Sequence, residues 1–201
     1  MNIKPLFPEV NNVKVHLKLP DNSSRKLLYD KLNETNAVRH NNYYIVREEK
    51  AKTVYSIFPK SGFVNITGVR NFDEVENALA AFNKKFKQNI PLDQLKIDNS
   101  TASARITDAK SSNDVQINLE HVKYLIDNET SFSILKATLS PANFPGIVIR
   151  SKTSPTCLIF TSGRFNVVGA KGKQDLSNTY QWLCAIIEKY TKMPQTVMSI
   201  V

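Results

Sequence analysis

The sequence is poor in the features that mark secreted and membrane-spanning proteins. It has two cysteines, Cys157 and Cys184, in 201 residues. Two are too few for a disulfide scaffold, and this favours a reducing compartment. No apolar run approaches the roughly 18 residues of a transmembrane helix, and the first ten residues contain no apolar signal-peptide segment. These absences predict a soluble protein without a membrane partner.

Motifs of catalytic and cofactor sites are also lacking. The three histidines, His16, His40 and His121, are scattered and have no metal-ligand spacing. Only six glycines are present, and the Gly-Ala-Lys-Gly run at residues 169–172 lacks the spacing of a phosphate-binding loop. The sequence therefore predicts no enzyme activity, no cofactor and no metal site.

What the chain does have is a basic surplus and enough apolar residues for a core. It carries 27 Lys and Arg against 18 Asp and Glu, a formal net charge of +9, and 41% of its residues are hydrophobic. A surplus of this size serves solubility in many proteins, but it also suits a polyanionic partner such as nucleic acid. Both halves of the chain are mildly basic, so charge alone does not separate these two interpretations.

An internal repeat is the strongest signal in the sequence. Residues 56–68 and 158–169 share an Ile-Phe pair, a Ser-Gly turn and a closing glycine. Asn65 and Asn166 occupy the same place in the two copies. We assign the first copy to residues 8–90 and the second to 95–192, with about 14 extra residues within 106–140 and a C-terminal tail at 193–201.

Each copy is predicted as a strand, a short helix, several strands and a long helix. Apolar and polar residues alternate along 13–19, which is typical of a half-buried strand. Short helices are predicted over 24–32 and 119–126. A helical apolar stripe is formed by Phe72, Val75, Leu79, Phe82 and Phe86, with Asn71 as the candidate N-cap. Leu176 to Tyr190 repeats that stripe, and we interpret both stripes as core.

The second copy contains runs that resemble a known family. They are Lys-Ile-Asp-Asn at 96–99, Asn-Phe-Pro-Gly-Ile-Val-Ile-Arg at 143–150, Leu-Ile-Phe-Thr-Ser-Gly-Arg at 158–164 and Gly-Ala-Lys at 169–171. Together they resemble the core domain of the TATA-box-binding protein family. The first copy resembles it through Asn12 and the residues at 57–58, 61–62 and 67–68.

The resemblance implies a fold and a function. The fold is an α+β saddle with a pseudo-two-fold repeat: a curved antiparallel sheet of ten strands with four helices on its convex face. The function is that of a general transcription initiation factor whose concave face lies in the minor groove of A·T-rich promoter DNA and bends it with phenylalanine wedges. The implied partners are double-stranded promoter DNA, basal initiation factors and DNA-dependent RNA polymerase. A monomer on DNA is expected, in the nucleus or in a viral transcription compartment.

The resemblance also implies which residues contact DNA. The wedge residues are Phe144, Pro145, Leu158 and Phe160, with Phe58 as the first-copy partner of Phe160. If Cys157 is buried as a structural thiol, alternation turns Leu158 and Phe160 to the open side of the sheet. Asn12 and Asn99 suit the acceptor-only edges of A·T pairs. Arg47, Arg150 and Lys171 match backbone-contacting positions. The other expected contacts are Lys14, Asn65, Thr67, Thr101, Asn166 and Val168.

Three departures from the family pattern accompany the resemblance. Asn41 and Asn42 occupy the place of a first-copy wedge, for which either Tyr43 or Tyr44 is a substitute. Lys14, Asn65 and Asn166 make the DNA-facing surface more polar, which predicts a looser sequence preference and a greater dependence on phosphate charge. Residues 140–143 lack the acidic side chains with which the family holds its B-type initiation factor.

These departures leave a second hypothesis open. The chain is then a protein-interaction module of the transcription machinery that has lost TATA-specific DNA binding.

Overall fold

The computed structural model describes residues 3–48, 52–153 and 155–193. The chain divides into two units: the first unit is Val10–Ser100, and the second is Thr101–Val201 together with Met1–Glu9. The predicted tail lies, beyond Met193, outside the described residues. The predicted copy boundaries remain a prediction.

Eleven strands and four α-helices occur in the described part of the chain, and the strand pairs within each unit are antiparallel. In the first half they are β1 (Ile3–Pro5), β2 (Glu9–Lys18), α1 (Asn22–Leu32), β3 (Val38–Arg39), β4 (Tyr44–Arg47), β5 (Val54–Phe58), β6 (Phe63–Val69) and α2 (Glu74–Phe86). In the second half they are β7 (Lys96–Asp108), α3 (Leu119–Asn128), β8 (Leu135–Leu139), β9 (Gly146–Ser151), β10 (Thr156–Phe160), β11 (Arg164–Val168) and α4 (Lys173–Lys192). The predicted order of strand, short helix, strands and long helix is thus present twice.

In the first unit, helices cover one face of the strands. Alternation on β2 places Val13, Val15 and Leu17 fully inside, where they join one apolar core with Leu79 and Phe82 of α2. The intervening residues of β2 therefore point to the opposite face, which no described helix of this unit covers. That open face is the candidate surface for a partner.

The second unit repeats this arrangement with different residues. Cys157 and Ile159 on β10 are fully buried, whereas Leu158 and Phe160 between them are half-buried. Burial raises the pKa of the Cys157 thiol, because a thiolate loses its hydration in an apolar core. Cys157 is therefore a structural core residue, as the sequence predicts, and Leu158 and Phe160 face away from that core.

Matching side chains cap the two short helices. The Asp21 carboxylate accepts a hydrogen bond from the Ser24 backbone N–H, and the Asn118 side chain accepts one from the His121 N–H. With Asp21 as its cap, α1 begins at Asn22, two residues before the predicted start at residue 24. At α2, the Asn71 side chain accepts a bond from the Glu74 N–H, so the predicted cap residue does satisfy the helix start.

The extra residues of the second copy extend its first strand. The sequence predicts a polar loop from residue 107, but β7 continues to Asp108 because Ile106, Thr107 and Asp108 pair with β1. Asp114 then returns to form a β-bridge with Thr107. This added pairing accounts for eleven strands where ten are expected. No α-helix in the described ranges is long and apolar enough to cross a membrane.

Candidate nucleic-acid interface

The open face of the first unit is built from cross-strand rows. Strand β6 lies between β5 and β2. One row joins His16, Asn65 and Ser56 across β2, β6 and β5. The next row joins Lys18, Phe63 and Phe58 in the same way. Directly opposed side chains in such rows lie close enough to touch, so each row is one strip of surface.

Three aromatic rings stack at the end of this face. The ring of Tyr43 lies 5.2 Å from that of Phe58 at 25°, and His40 stacks on the other side of Tyr43 at 4.9 Å and 11°. Tyr44 instead makes an edge contact with Tyr29, and hydrogen bonding with that residue raises the pKa of the Tyr44 hydroxyl. Of the two candidate substitutes for the missing wedge, Tyr43 is therefore the one placed beside Phe58.

A charged cluster occupies the middle of the same face. The Nδ1 atom of His16 lies 2.5 Å from Asp98 Oδ1, and Lys14 Nζ lies 3.5 Å from Asp98 Oδ2. The His16 ring also stacks on Phe63 with a centroid distance of 5.2 Å. Lys14 is thus an ion-pair partner of Asp98 rather than a lone cation.

Asn12 is held at the start of β2 by a backbone contact. Its Oδ1 accepts a hydrogen bond from the Gly68 N–H at 3.3 Å. Gly68 has φ of +79° and lies at a register shift between β2 and β6. Because Asn12 Oδ1 already accepts this bond, the Nδ2 hydrogens of the same side chain remain to donate to an acceptor outside this unit. Thr67, the neighbour of Gly68, is half-buried.

The open face of the second unit carries the predicted wedge pair. The rings of Phe144 and Phe160 lie 5.6 Å apart at 56°. A Cβ atom on Gly146 would lie 2.9 Å from the Phe144 ring and 3.1 Å from the Phe160 ring, so only glycine permits this pair. Pro145 is exposed, and with Phe160 it lines a groove of about 720 Å³.

The rest of this second face has hydroxyl, amide and apolar groups. Asn166 lies opposite Leu158 on one side and Ser103 on the other, and Val168 lies opposite Thr101. Leu158, Asn166, Val168 and Thr101 are all half-buried. Asn99, which belongs to the first unit, is also half-buried, and its Oδ1 is buried without a hydrogen-bond partner in the described part of the chain.

The predicted phosphate-contacting cations lie on the surface. Arg47, Arg150 and Lys171 are exposed. Arg105 lines the same groove as Pro145 and Phe160, and its guanidinium donates to both carboxylate oxygens of Asp114 at 3.0 Å each. Among the residues described, no group of three or more His, Cys, Asp or Glu side chains is placed to hold a metal ion.

Sequence reasoning missed three aromatic residues of the first open face. His16 shares the alternation of Asn12 and Lys14, so the strand pattern contained its signal. Phe63 faces the same way on β6. His40 lies between β3 and β4, where no periodicity applies, so its stacking on Tyr43 had no sequence signal.

Comparison with known proteins shows what this chain is similar to. Residues 94–190 match the family model described as Transcription factor TFIID (or TATA-binding protein, TBP). The TATA-box-binding protein of Pyrobaculum neutrophilum is 28% identical over 144 residues, which cover 69% of this chain and 65% of the relative. The chain thus spans slightly less than two thirds of that relative. It matches the TATA-box-binding protein of Methanocaldococcus jannaschii over 95% of the chain and 100% of the relative, with 25% identity.

A solved structure has the same fold. The chain is similar to Methanococcus jannaschii TBP with a TM-score of 0.62 and 24% sequence identity, covering 94% of this chain and 99% of that one. The predicted fold class, an α+β fold of antiparallel strands with four helices, is confirmed.

Proposed function

We propose that the chain is a member of the TATA-box-binding protein family and, on that premise, a promoter-binding transcription initiation factor that acts without catalysis. In this proposal the open face of each unit contacts the minor groove of A·T-rich DNA. The observation that carries the proposal is the pair of aromatic rings on each open face, Phe144 with Phe160 and Tyr43 with Phe58.

Half-exposed aromatic pairs at the end of a polar face are suited to wedging. A flat apolar ring can enter between two base pairs, and the unstacking is offset by the additional surface that the bent duplex contacts. Because Gly146 is required for the spacing of Phe144 and Phe160, the second unit is built around this pair. Tyr43 supplies the corresponding wedge in the first unit.

Polar groups of the open faces supply the remaining interactions. The Asn12 amide, oriented by Gly68, donates to the acceptors of adenine and thymine that line the minor groove. The exposed Arg47, Arg150 and Lys171 contact phosphates, which contributes affinity and salt dependence without sequence choice. We propose basal initiation factors and DNA-dependent RNA polymerase as partners, and the nucleus or a viral transcription compartment as the location.

The polar first face supports a second candidate function. Asp98 places a negative charge among the residues meant for DNA, and a carboxylate repels phosphates. If this repulsion prevents stable DNA binding, the chain is a protein-interaction module that uses the same surface for a protein partner.

Band-shift titrations separate the two functions. The full chain is titrated against A·T-rich and G·C-rich duplexes at 50 mM and 200 mM salt, and bending is measured by energy transfer between dyes at the duplex ends. The proposal expects a bent complex with the A·T-rich duplex at both salt concentrations. No complex, or an unbent complex that does not discriminate between the duplexes and is lost at the higher salt concentration, would support the interaction module.

A further inference from the structure

We propose that the His16–Asp98 pair makes the first unit accept one G·C pair within an otherwise A·T-rich site. This inference rests on the proposed function, since it concerns which base edge lies against the first open face. It assigns a sequence-reading role to His16 and a positioning role to Asp98.

The position of His16 comes from strand alternation. Val15 and Leu17, its neighbours on β2, are fully buried in the core of the first unit, so the imidazole lies on the open face. The side chain is 23% exposed. Stacking on Phe63 and the bond to Asp98 hold the ring on two sides, so its remaining nitrogen has a defined direction.

The contact with Asp98 determines what that remaining nitrogen can do. An ionised carboxylate only accepts hydrogen bonds, so Nδ1 of His16 carries the proton in this 2.5 Å contact. In the neutral imidazole Nε2 is then an acceptor. Nε2 has no hydrogen-bond partner among the described residues, so this acceptor remains for a ligand.

An acceptor on this face fits only one chemical group of the minor-groove floor. Adenine and thymine present acceptors there, and guanine adds the single donor, its N2 amino group. Nε2 of a neutral His16 therefore complements guanine and finds no hydrogen bond on an A·T pair. A small apolar residue would not make this distinction.

In the described part of the second unit a hydroxyl takes the place of the imidazole. His16 lies opposite Asn65, and the residue in the same relation to Asn166 is Ser103. A hydroxyl can donate as well as accept, so it suits an A·T pair as well as guanine, and the guanine preference belongs to the first unit. One G·C pair in the site then favours one orientation of the protein on the promoter.

Inosine provides the decisive test. A single G·C pair is moved stepwise through a uniform A·T duplex, and at each position it is compared with inosine·C, which lacks the N2 amino group. For the unaltered chain we expect a position at which guanine binds about fivefold more tightly than inosine, the value of one neutral hydrogen bond. In His16→Leu guanine and inosine should bind equally at that position, and this ratio does not depend on any general change in affinity for the duplex.

The positioning role of Asp98 is tested by removing the carboxylate that holds the imidazole proton of His16 on Nδ1. In Asp98→Asn the side-chain amide can either accept from Nδ1 or donate to it, so it no longer fixes the ring proton on that nitrogen. The guanine preference should therefore fall. His16→Gln retains an acceptor and should keep part of the preference.

The outcomes separate the inference from the proposed function. If the unaltered chain binds the uniform A·T duplex but prefers inosine to guanine at every position, the inference is wrong and the proposed function stands. If the chain binds none of these duplexes, the proposed function itself fails. A guanine preference that persists in His16→Leu would also overturn the inference.

Discussion

The two open faces have the same strand plan but different chemistry. On the first, His40, Tyr43 and Phe58 form a stack, and His16, Lys14 and Asp98 form a charged cluster. On the second, Phe144 and Phe160 form a separate aromatic pair, and the same face also carries the half-buried Leu158 and Val168. A duplicated fold has thus kept its backbone plan while its surfaces diverged, because core residues are constrained by packing and surface residues are not.

The largest expected effect distinguishes the two aromatic pairs. Phe144→Ala with Phe160→Ala should weaken binding to the A·T-rich duplex by at least about thirtyfold, since each stacked ring contributes about 1–3 kcal/mol. It should also remove most of the bend. Tyr43→Ala with Phe58→Ala should cost only about tenfold, because Tyr43 already stacks on both sides within the protein.

Titration measures the affinity of both variants, and energy transfer between the duplex ends measures the bend. Replacement of the exposed Tyr124 of α3 by alanine, Tyr124→Ala, is the matched control. Equal losses of affinity and bend for the two pairs would mean that Tyr43 and Phe58 enter between base pairs as deeply as Phe144 and Phe160.

A second comparison uses the glycines that close the two Ser-Gly hairpins. Gly68 and Gly169 both have positive φ, +79° and +97°. A Cβ atom at Gly68 would lie 2.3 Å from the Lys52 carbonyl oxygen, but at Gly169 it would meet nothing within 4 Å. Gly68→Ala should therefore reduce the free energy of unfolding by about 2 kcal/mol more than Gly169→Ala. Urea unfolding measures the difference, and equal losses would contradict a steric cause.

The third comparison concerns the short helices. His121 of α3 is 1% exposed, and neither ring nitrogen has a hydrogen-bond partner in the described part of the chain. The first unit has Ser24 at the equivalent place after the cap. Because an unpaired buried polar group costs free energy, His121→Leu should stabilise the fold by about 1 kcal/mol and raise Tm by about 2–4 °C. Thermal unfolding measures this against Ser24→Ala, and a lower Tm in His121→Leu would show that the ring has a partner in solution.

The smallest expected effect is electrostatic. Asp114→Asn should free Arg105 for a phosphate, because the carboxylate that now holds both its contacts is removed. Affinity should rise about threefold at low salt, and the slope of log K against log salt should steepen by about 0.9. Asp127→Asn, which breaks the pair with Lys123 on α3, is the control, and an unchanged slope in Asp114→Asn would mean that Arg105 does not reach the backbone.

The fold was largely predictable because its signals are local. Alternation on β2, the helical stripe of α2 and the repeated Ser-Gly hairpin each lie within a short stretch of chain, and the elements formed close to where they were expected. The added strand β1 was not predictable, because its pairing joins residues 3–5 to residues 106–108, far apart in the sequence.

The candidate site was predictable where the repeat provided a partner for comparison. Phe160 and Cys157 could be assigned a face from alternation, whereas Phe144, which precedes β9, was named only from the family resemblance. The choice between Tyr43 and Tyr44 could not be made, because it depends on which ring meets Phe58 across a turn. The ion pair of Lys14 with Asp98 could not be predicted either, because the two residues are far apart in the sequence.

By itself, the sequence determined the two copies, their element order and the side of each strand that enters a core, because hydrophobic periodicity is a property of neighbouring residues. Only the tertiary structure decided the chemistry of the first open face. Asp98 is 82 residues from His16 along the chain, and it determines which ring nitrogen carries the proton only because the fold places the two side chains together.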